Sequence, residues 1–112
     1  MPPDSTHVQY TLEMLVLKAL SLAPMHGWGI GQRINQLSDG AFEVQQGSLY
    51  PALHRLEKRG WLTSEWKRTE HGRRARYYRI TPEGDSELAG LRRRWEGSAW
   101  AVRKVLDAEA GS

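Results

Sequence analysis

A proline fixes where the central helix of this chain can begin. Pro51 stands inside the run Gly47-Ser48-Leu49-Tyr50-Pro51-Ala52-Leu53-His54-Arg55-Leu56-Glu57-Lys58-Arg59-Gly60. It has no amide hydrogen and its ring opposes the carbonyl four residues back, so it is expected in a first turn, with the helix starting near Gly47 or Ser48. Gly60 is placed to end it. Leu49, Leu53 and Leu56 recur at the i, i+4, i+7 spacing that puts apolar side chains on one stripe. Ser48, Pro51, His54, Arg55 and Lys58 fall off that stripe, so one side packs while the other is left for a partner. Hydroxyl, polar and cationic groups gather towards the N-terminal end, where the helix dipole and free amides favour phosphate. A helix that reads nucleic acid has this design.

Charge supports the same reading by its distribution more than by its total. The formal net charge is +3, yet between His54 and Arg79 nine Lys or Arg face three acids, a local balance of +6 that leaves about −3 for the rest of the chain. A positive middle with near-neutral or acidic flanks is the footprint of a phosphate-binding face. The 112 residues are one domain's worth, and 39% hydrophobic with 26% charged residues is the balance of a folded, soluble chain. No cysteine is present, which excludes disulfides and thiolate metal sites. No segment approaches the roughly 20 apolar residues of a membrane span. Met1-Pro2-Pro3-Asp4-Ser5-Thr6 lacks the basic start and apolar run of a secretory signal, so the expected location is the cytoplasm.

Taken in order, residues 1–10 are expected to form a flexible arm, Pro-rich and polar at its start. Leu12, Leu15, Val16, Ala19, Leu20 and Ala23 trace a wide helical stripe that Pro24 ends. After the Pro24-Met25-His26 connector, Ile30, Ile34 and Leu37 mark a second helix that Gly29 and Gly31 weaken, with Trp28 near its start stapling it to the core. Ser38-Asp39-Gly40 reads as a turn, and Phe42-Glu43-Val44 as a short strand. The proline-led helix follows. Residues 61–68 and 75–80, rich in Trp, Thr, Tyr and Ile, flank Glu70-His71-Gly72-Arg73, a turn in which Gly72 absorbs a positive φ. This is a hairpin with a basic tip. Thr81-Pro82-Glu83 then supplies a cap, a first-turn proline and a first-turn acid. Leu88, Leu91, Trp95, Ala99, Val102 and Leu106 continue a seam in steps of three and four, along a helix too long for so small a domain to bury. A second copy of the chain is the economical cover.

The fold class so derived is mainly α with a small β-hairpin: a winged helix-turn-helix over residues 11–80, followed by a long C-terminal dimerisation helix over residues 81–108. In that arrangement the third helix enters the major groove and the wing meets flanking backbone. Ser48 and Tyr50 are short enough to hydrogen-bond phosphate, with Pro51 setting the helix start, and His54 and Arg55 are long enough to approach base edges. Lys58 is expected on the backbone. Arg73 and Arg74, held out by Gly72, are expected on or in the minor groove. His7, His26, His54 and His71 form no i, i+3 or i+4 pair, so no metal site is expected. No nucleophile elbow, phosphate loop or carboxylate pair points to an enzyme, and no cofactor is implied.

The chain resembles PadR-family transcriptional regulators. The matching stretches are Leu12-Glu13-Met14-Leu15-Val16-Leu17, Pro24-Met25-His26-Gly27-Trp28-Gly29-Ile30, Gly47-Ser48-Leu49-Tyr50-Pro51-Ala52-Leu53 with Arg55-Leu56-Glu57, and Gly72-Arg73-Arg74 with Tyr77-Tyr78 and Ile80-Thr81. Gly31 and Trp28, the latter where members often carry Tyr, depart from the pattern. A single C-terminal helix resembles the short subfamily that includes multidrug-sensing regulators. The resemblance implies a homodimeric repressor on double-stranded DNA with a palindromic operator, released by a small aromatic or cationic ligand. In the short subfamily a tryptophan at the position of Trp95 lines a space between subunits and stacks on flat ligands, and Ala99 and Val102 would line it too. The alternative function is a winged-helix interaction module whose wing and third helix bind an acidic protein. The operator sequence, the regulated genes and the effector's identity are not written in the chain.

Overall fold

The computed structural model describes residues 5–111, with side chains described from Thr11 onward. Four helices and a three-stranded antiparallel sheet follow in the order α1 (Ser5–Leu22), β1 (Met25–His26), α2 (Gly27–Leu37), α3 (Gln46–Lys58), β2 (Leu62–Arg68), β3 (Arg74–Ile80) and α4 (Pro82–Leu106). The sheet order is β1-β3-β2. This is the expected winged helix with a long last helix, and the differences lie in its details.

The first helix starts at Ser5, so the arm expected over residues 1–10 is helical over its second half. Neither Pro nor Gly occurs between Ser5 and Leu22, and with the prolines confined to Pro2 and Pro3 nothing interrupts the helix sooner. Residues 1–4 of that arm lie outside the described residues. α1 is the hub of the domain: it packs on α2, α3, β3 and α4. Its buried arc is accordingly broader than the expected stripe, adding Glu13 and Leu17 to Val16, Ala19 and Leu20, while Ala23 lies past the helix end and is exposed.

The connector after Pro24 is itself a strand. β1 pairs with β3 through Met25 opposite Tyr78 and His26 opposite Tyr77. No strand forms at residues 42–44, because the Phe42 backbone is engaged locally: its carbonyl accepts from the Asn35 side-chain amide at 3.0 Å and its amide donates to Ser38 Oγ at 3.1 Å. Val44 tucks against the core from this loop.

In α2, Ile30 and Ile34 are buried, whereas Trp28 is 55% exposed and Leu37 is 51% exposed. Trp28 does not staple the helix, since two residues from Ile30 is about 200° of helical turn and places it on the far side. The helix is capped instead by His26, whose Nδ1 accepts from the Gly29 amide at 3.1 Å.

α3 begins at Gln46, which leaves Pro51 in its second turn. The cost is one missing bond to the Gly47 carbonyl. Leu49, Ala52, Leu53 and Leu56 are fully buried, so the packing stripe is as expected with Ala52 added. Gly60, at φ 82°, ends the helix as the Trp61 amide reaches back to the Leu56 carbonyl at 3.0 Å.

The hairpin pairs Leu62 with Ile80, Ser64 with Tyr78, Trp66 with Arg76 and Arg68 with Arg74. Gly72 takes φ 79° in its turn. Thr81 then joins wing to helix, donating to the Gly60 carbonyl at 2.8 Å and accepting from the Gly84 amide at 3.0 Å. The seam of α4 changes surroundings half-way: Leu88 and Leu91 pack on the core, whereas Trp95, Val102 and Leu106 are 48%, 56% and 76% exposed. Overall extents of 64 × 28 × 24 Å give the molecule an elongated shape.

Candidate nucleic-acid interface

The helical phase of α3 sorts its side chains into three sets. With the leucines and Ala52 in the core, Gly47, Pro51, His54 and Lys58 make the opposite strip, all exposed, with Ser48 and Tyr50 exposed nearer the start. The missing side chain at Gly47 and the flat ring of Pro51 keep the first part of this strip low, so that a duplex could approach the backbone closely.

Each flank of α3 is tied down by a carboxylate. On the α1 side, Glu13 is 2% exposed and its two oxygens accept separately from Arg55 Nε at 2.9 Å and Arg59 Nη1 at 2.8 Å. Arg55, whose length suggested a reach to base edges, is engaged by Glu13 through Nε, with its side chain 32% exposed. The pair forms because a carboxylate removed from water must be met by cations and donors. Arg59 also lies over the Trp61 ring, 5.1 Å from its centroid. On the wing side, Glu57 accepts from Ser64 and sits 3.5 Å from Arg76 Nη2, while Arg76 Nε donates to Ser64 Oγ at 2.7 Å. Wing and helix are thus held as one unit. Tyr78 is buried beneath them, and burial first, then the nearby Glu57 charge, raises its phenol pKa above the usual value.

Tyr50 lies across the start of α2. A Cβ at Gly27 would come 2.9 Å from its ring, so the glycine lets the Tyr50 ring lie this close without shifting. His26 has an edge-on contact with Tyr77 (centroids 5.5 Å apart) and stacks near Trp28 (6.1 Å). It is a half-buried capping residue and not a free surface group. At the wing tip Arg73 and Arg74 are exposed beside Gly72, and the Arg74 guanidinium lies 5.6 Å from the Trp66 ring centroid. Sequence reasoning did not single out Glu13 or Trp66, and it took Trp28 for a packing residue. Glu13 was visible as an acid amid an apolar run, which is a signal for a buried, paired charge.

On α4, Trp95, Ala99 and Val102 line one open groove together with Ser98 and Leu106. Trp100 lies off this groove, with Lys104 Nζ 4.4 Å from its ring centroid. Among the described residues no helix is long and apolar enough to cross a membrane.

The model of the PadR-like transcriptional regulator family matches residues 16–90, from the middle of α1 to the first turns of α4. The chain belongs to this family. The PadR-like match spans most of the helical domain, the wing and the Thr81 junction, so it covers the wing-side flank of α3, while Glu13 lies just before it. A transcriptional regulator of Mycobacterium tuberculosis is 42% identical over 86 residues, 77% of this chain and 74% of that one. Among solved structures, a PadR family transcriptional regulator from Eggerthella lenta superposes with a TM-score of 0.77 at 31% identity, covering 94% of this chain and 90% of its own. A transcriptional regulator from Clostridium thermocellum gives 0.79 at 28% identity, covering 92% and 97%. The PadR-like role is regulation of transcription, not catalysis.

Proposed function

We propose that the chain is a homodimeric repressor acting in the cytoplasm on a palindromic operator. The observation that carries this reading is the exposed strip of α3, with the basic wing fixed beside it through Glu57, Ser64 and Arg76. His54 is the base-reading candidate on that strip, Ser48 and Tyr50 the phosphate donors near the helix start, and Lys58 a backbone contact. Pro51 holds the strip low. Gly72, Arg73 and Arg74 present the wing to the flanking minor groove. Arg55 is omitted from the reading set, because Glu13 holds it.

Two reading helices must be set apart by a dimer, and the bare half of the α4 seam supports one. Trp95, Ala99 and Val102 there form the seat of a flat aromatic or cationic effector whose binding shifts the two halves and releases DNA. Selection of bound duplexes from a random pool tests the whole reading. The expected product is an inverted repeat with half-site centres about 10 base pairs, one helical turn, apart. Recovered sequences without symmetry would sink the dimeric operator.

A further inference from the structure

The concave surface between the wing and the beginnings of α2 and α3 takes in Tyr50, Arg73 and Arg74 from the candidates chosen by sequence and joins them to Trp28, Trp66 and Arg76, which were not among those candidates. It is an open trench of about 1150 Å³ with Trp28 and Tyr50 on one wall and Trp66, Arg74 and Arg76 on the other. Its size exceeds the roughly 300–1,000 Å³ of a small-molecule pocket, which favours a piece of polymer over a metabolite.

Its chemistry narrows the occupant. Three arginines against one glutamate, Glu70, line it, so the trench suits an anion. Its two indoles, Trp28 at 55% and Trp66 at 56% exposed, are left in water by the fold. Trp66 is further prepared by two guanidiniums, Arg74 and Arg76, at 5.6 and 5.8 Å from its ring centroid. Stacked arginines keep their charge while losing conformational freedom, so less is lost when they meet phosphate. Arg76 is additionally fixed by Ser64 and Glu57. An indole offers one N–H donor and an apolar face, which fits the alternation of phosphate and deoxyribose along a strand.

We propose that this trench takes one sugar-phosphate strand of duplex DNA, gripped between Trp28 and Trp66 and neutralised by Arg74 and Arg76. The assignment rests on the DNA-binding reading above and adds to it two aromatic contacts outside the reading helix. It predicts that affinity depends on side chains which carry no charge and see no base edge.

The test titrates the full chain against a labelled duplex of arbitrary sequence, about three helical turns long, at several salt concentrations. A single strand of equal length runs in parallel. Trp28→Ala and Trp66→Ala should each weaken duplex binding roughly tenfold, the scale of losing one hydrogen bond to a charged phosphate. The slope of log affinity against log salt should stay at the wild-type value in both, and in Arg74→Gln it should become shallower by about 0.9. Trp100→Ala, on the far helix, should bind as wild type does. Both trench tryptophans are largely in solvent, so unchanged unfolding midpoints are expected and separate lost contacts from lost fold. If the wild type binds duplex while both tryptophan variants bind equally well, the trench is not the seat of the strand. Losses confined to the single strand would reassign it to unpaired nucleic acid. Failure of the wild type to bind any duplex would remove the regulator reading as a whole, not this trench alone.

Discussion

Glu13 of α1 and Arg55 of α3 are joined by a 2.9 Å ion pair whose carboxylate is almost wholly buried. The pair fixes α3 to the hub helix α1 at mid-length, and Arg59 completes it from one turn further on. Because α1 also packs on α4, the same helix touches both α3 and the long last helix. Any relative movement of α4 would have to be carried or absorbed at this ion pair.

Arg55→Ala is therefore expected to act on stability. It leaves the buried Glu13 with Arg59 alone, and a loss of about 1–3 kcal/mol follows from an incompletely satisfied buried charge. Urea unfolding measures this. In DNA titrations the variant should lose affinity equally on operator and random duplex. Relaxed preference at one base position, with stability intact, would return Arg55 to the reading set.

Gly84 is the tightest point of the wing-to-helix junction. A Cβ there would collide with the Trp61 carbonyl oxygen and lie 2.7 Å from Ile80 Cγ1. Backbone cannot yield as a flexible side chain does, so Gly84→Ala should destabilise by about 3 kcal/mol, the upper part of the range for overpacking. Gly97, on the same helix with nothing within 4 Å of an added methyl, gives the opposite sign. Gly97→Ala should stabilise by about 0.5–1 kcal/mol through helix propensity. Thermal denaturation of the two variants side by side checks both, and similar signs would refute the steric account of Gly84.

Tyr78 links stability to alkaline pH. Its folded pKa is raised, so the folded state keeps the phenolic proton at a pH where the unfolded chain has released it. Stability from this group is fully present below the unfolded pKa of about 10 and falls as pH rises past it. Urea midpoints of wild type and Tyr78→Phe should converge or cross between neutral pH and pH about 11. Parallel lines over that range would show that the buried phenol does not titrate with unfolding.

The architecture was readable in the sequence because its signals are local and agree with one another. Pro24, Gly60, Gly72 and the Thr81-Pro82 cap each mark a boundary by backbone chemistry that neighbours cannot override. The α3 stripe did the same through periodicity. What escaped depended on partners distant in the chain. That Arg55 meets Glu13 is decided across 42 residues of separation. β1 exists only because Met25 and His26 meet Tyr78 and Tyr77. Trp28 looked like a staple by position, yet the phase set by Ile30 and Ile34 turns it outward into the trench. Of the site, the α3 strip and wing tip could be named from spacing, whereas the trench arises only when β2 and β3 fold over against the starts of α2 and α3.

The α4 groove separates packing from ligand binding in a way fluorescence can read. Trp95 shares the groove with Ala99 and Val102, while Trp100 lies outside it beside Lys104. A planar cationic dye seated between subunits should quench tryptophan emission saturably, with the effect lost in Trp95→Ala and retained in Trp100→Ala. Stacking on the indole contributes about 0.5–2 kcal/mol for a cation, so Trp95→Ala should weaken dye binding by roughly threefold to thirtyfold. Sedimentation of the same variants supplies the control. If Trp95→Ala stays dimeric yet no longer quenches, the indole is a ligand platform. If it dissociates into monomers and no dye ever quenches the wild type, the indole is only the core of the dimer, and the effector must bind elsewhere.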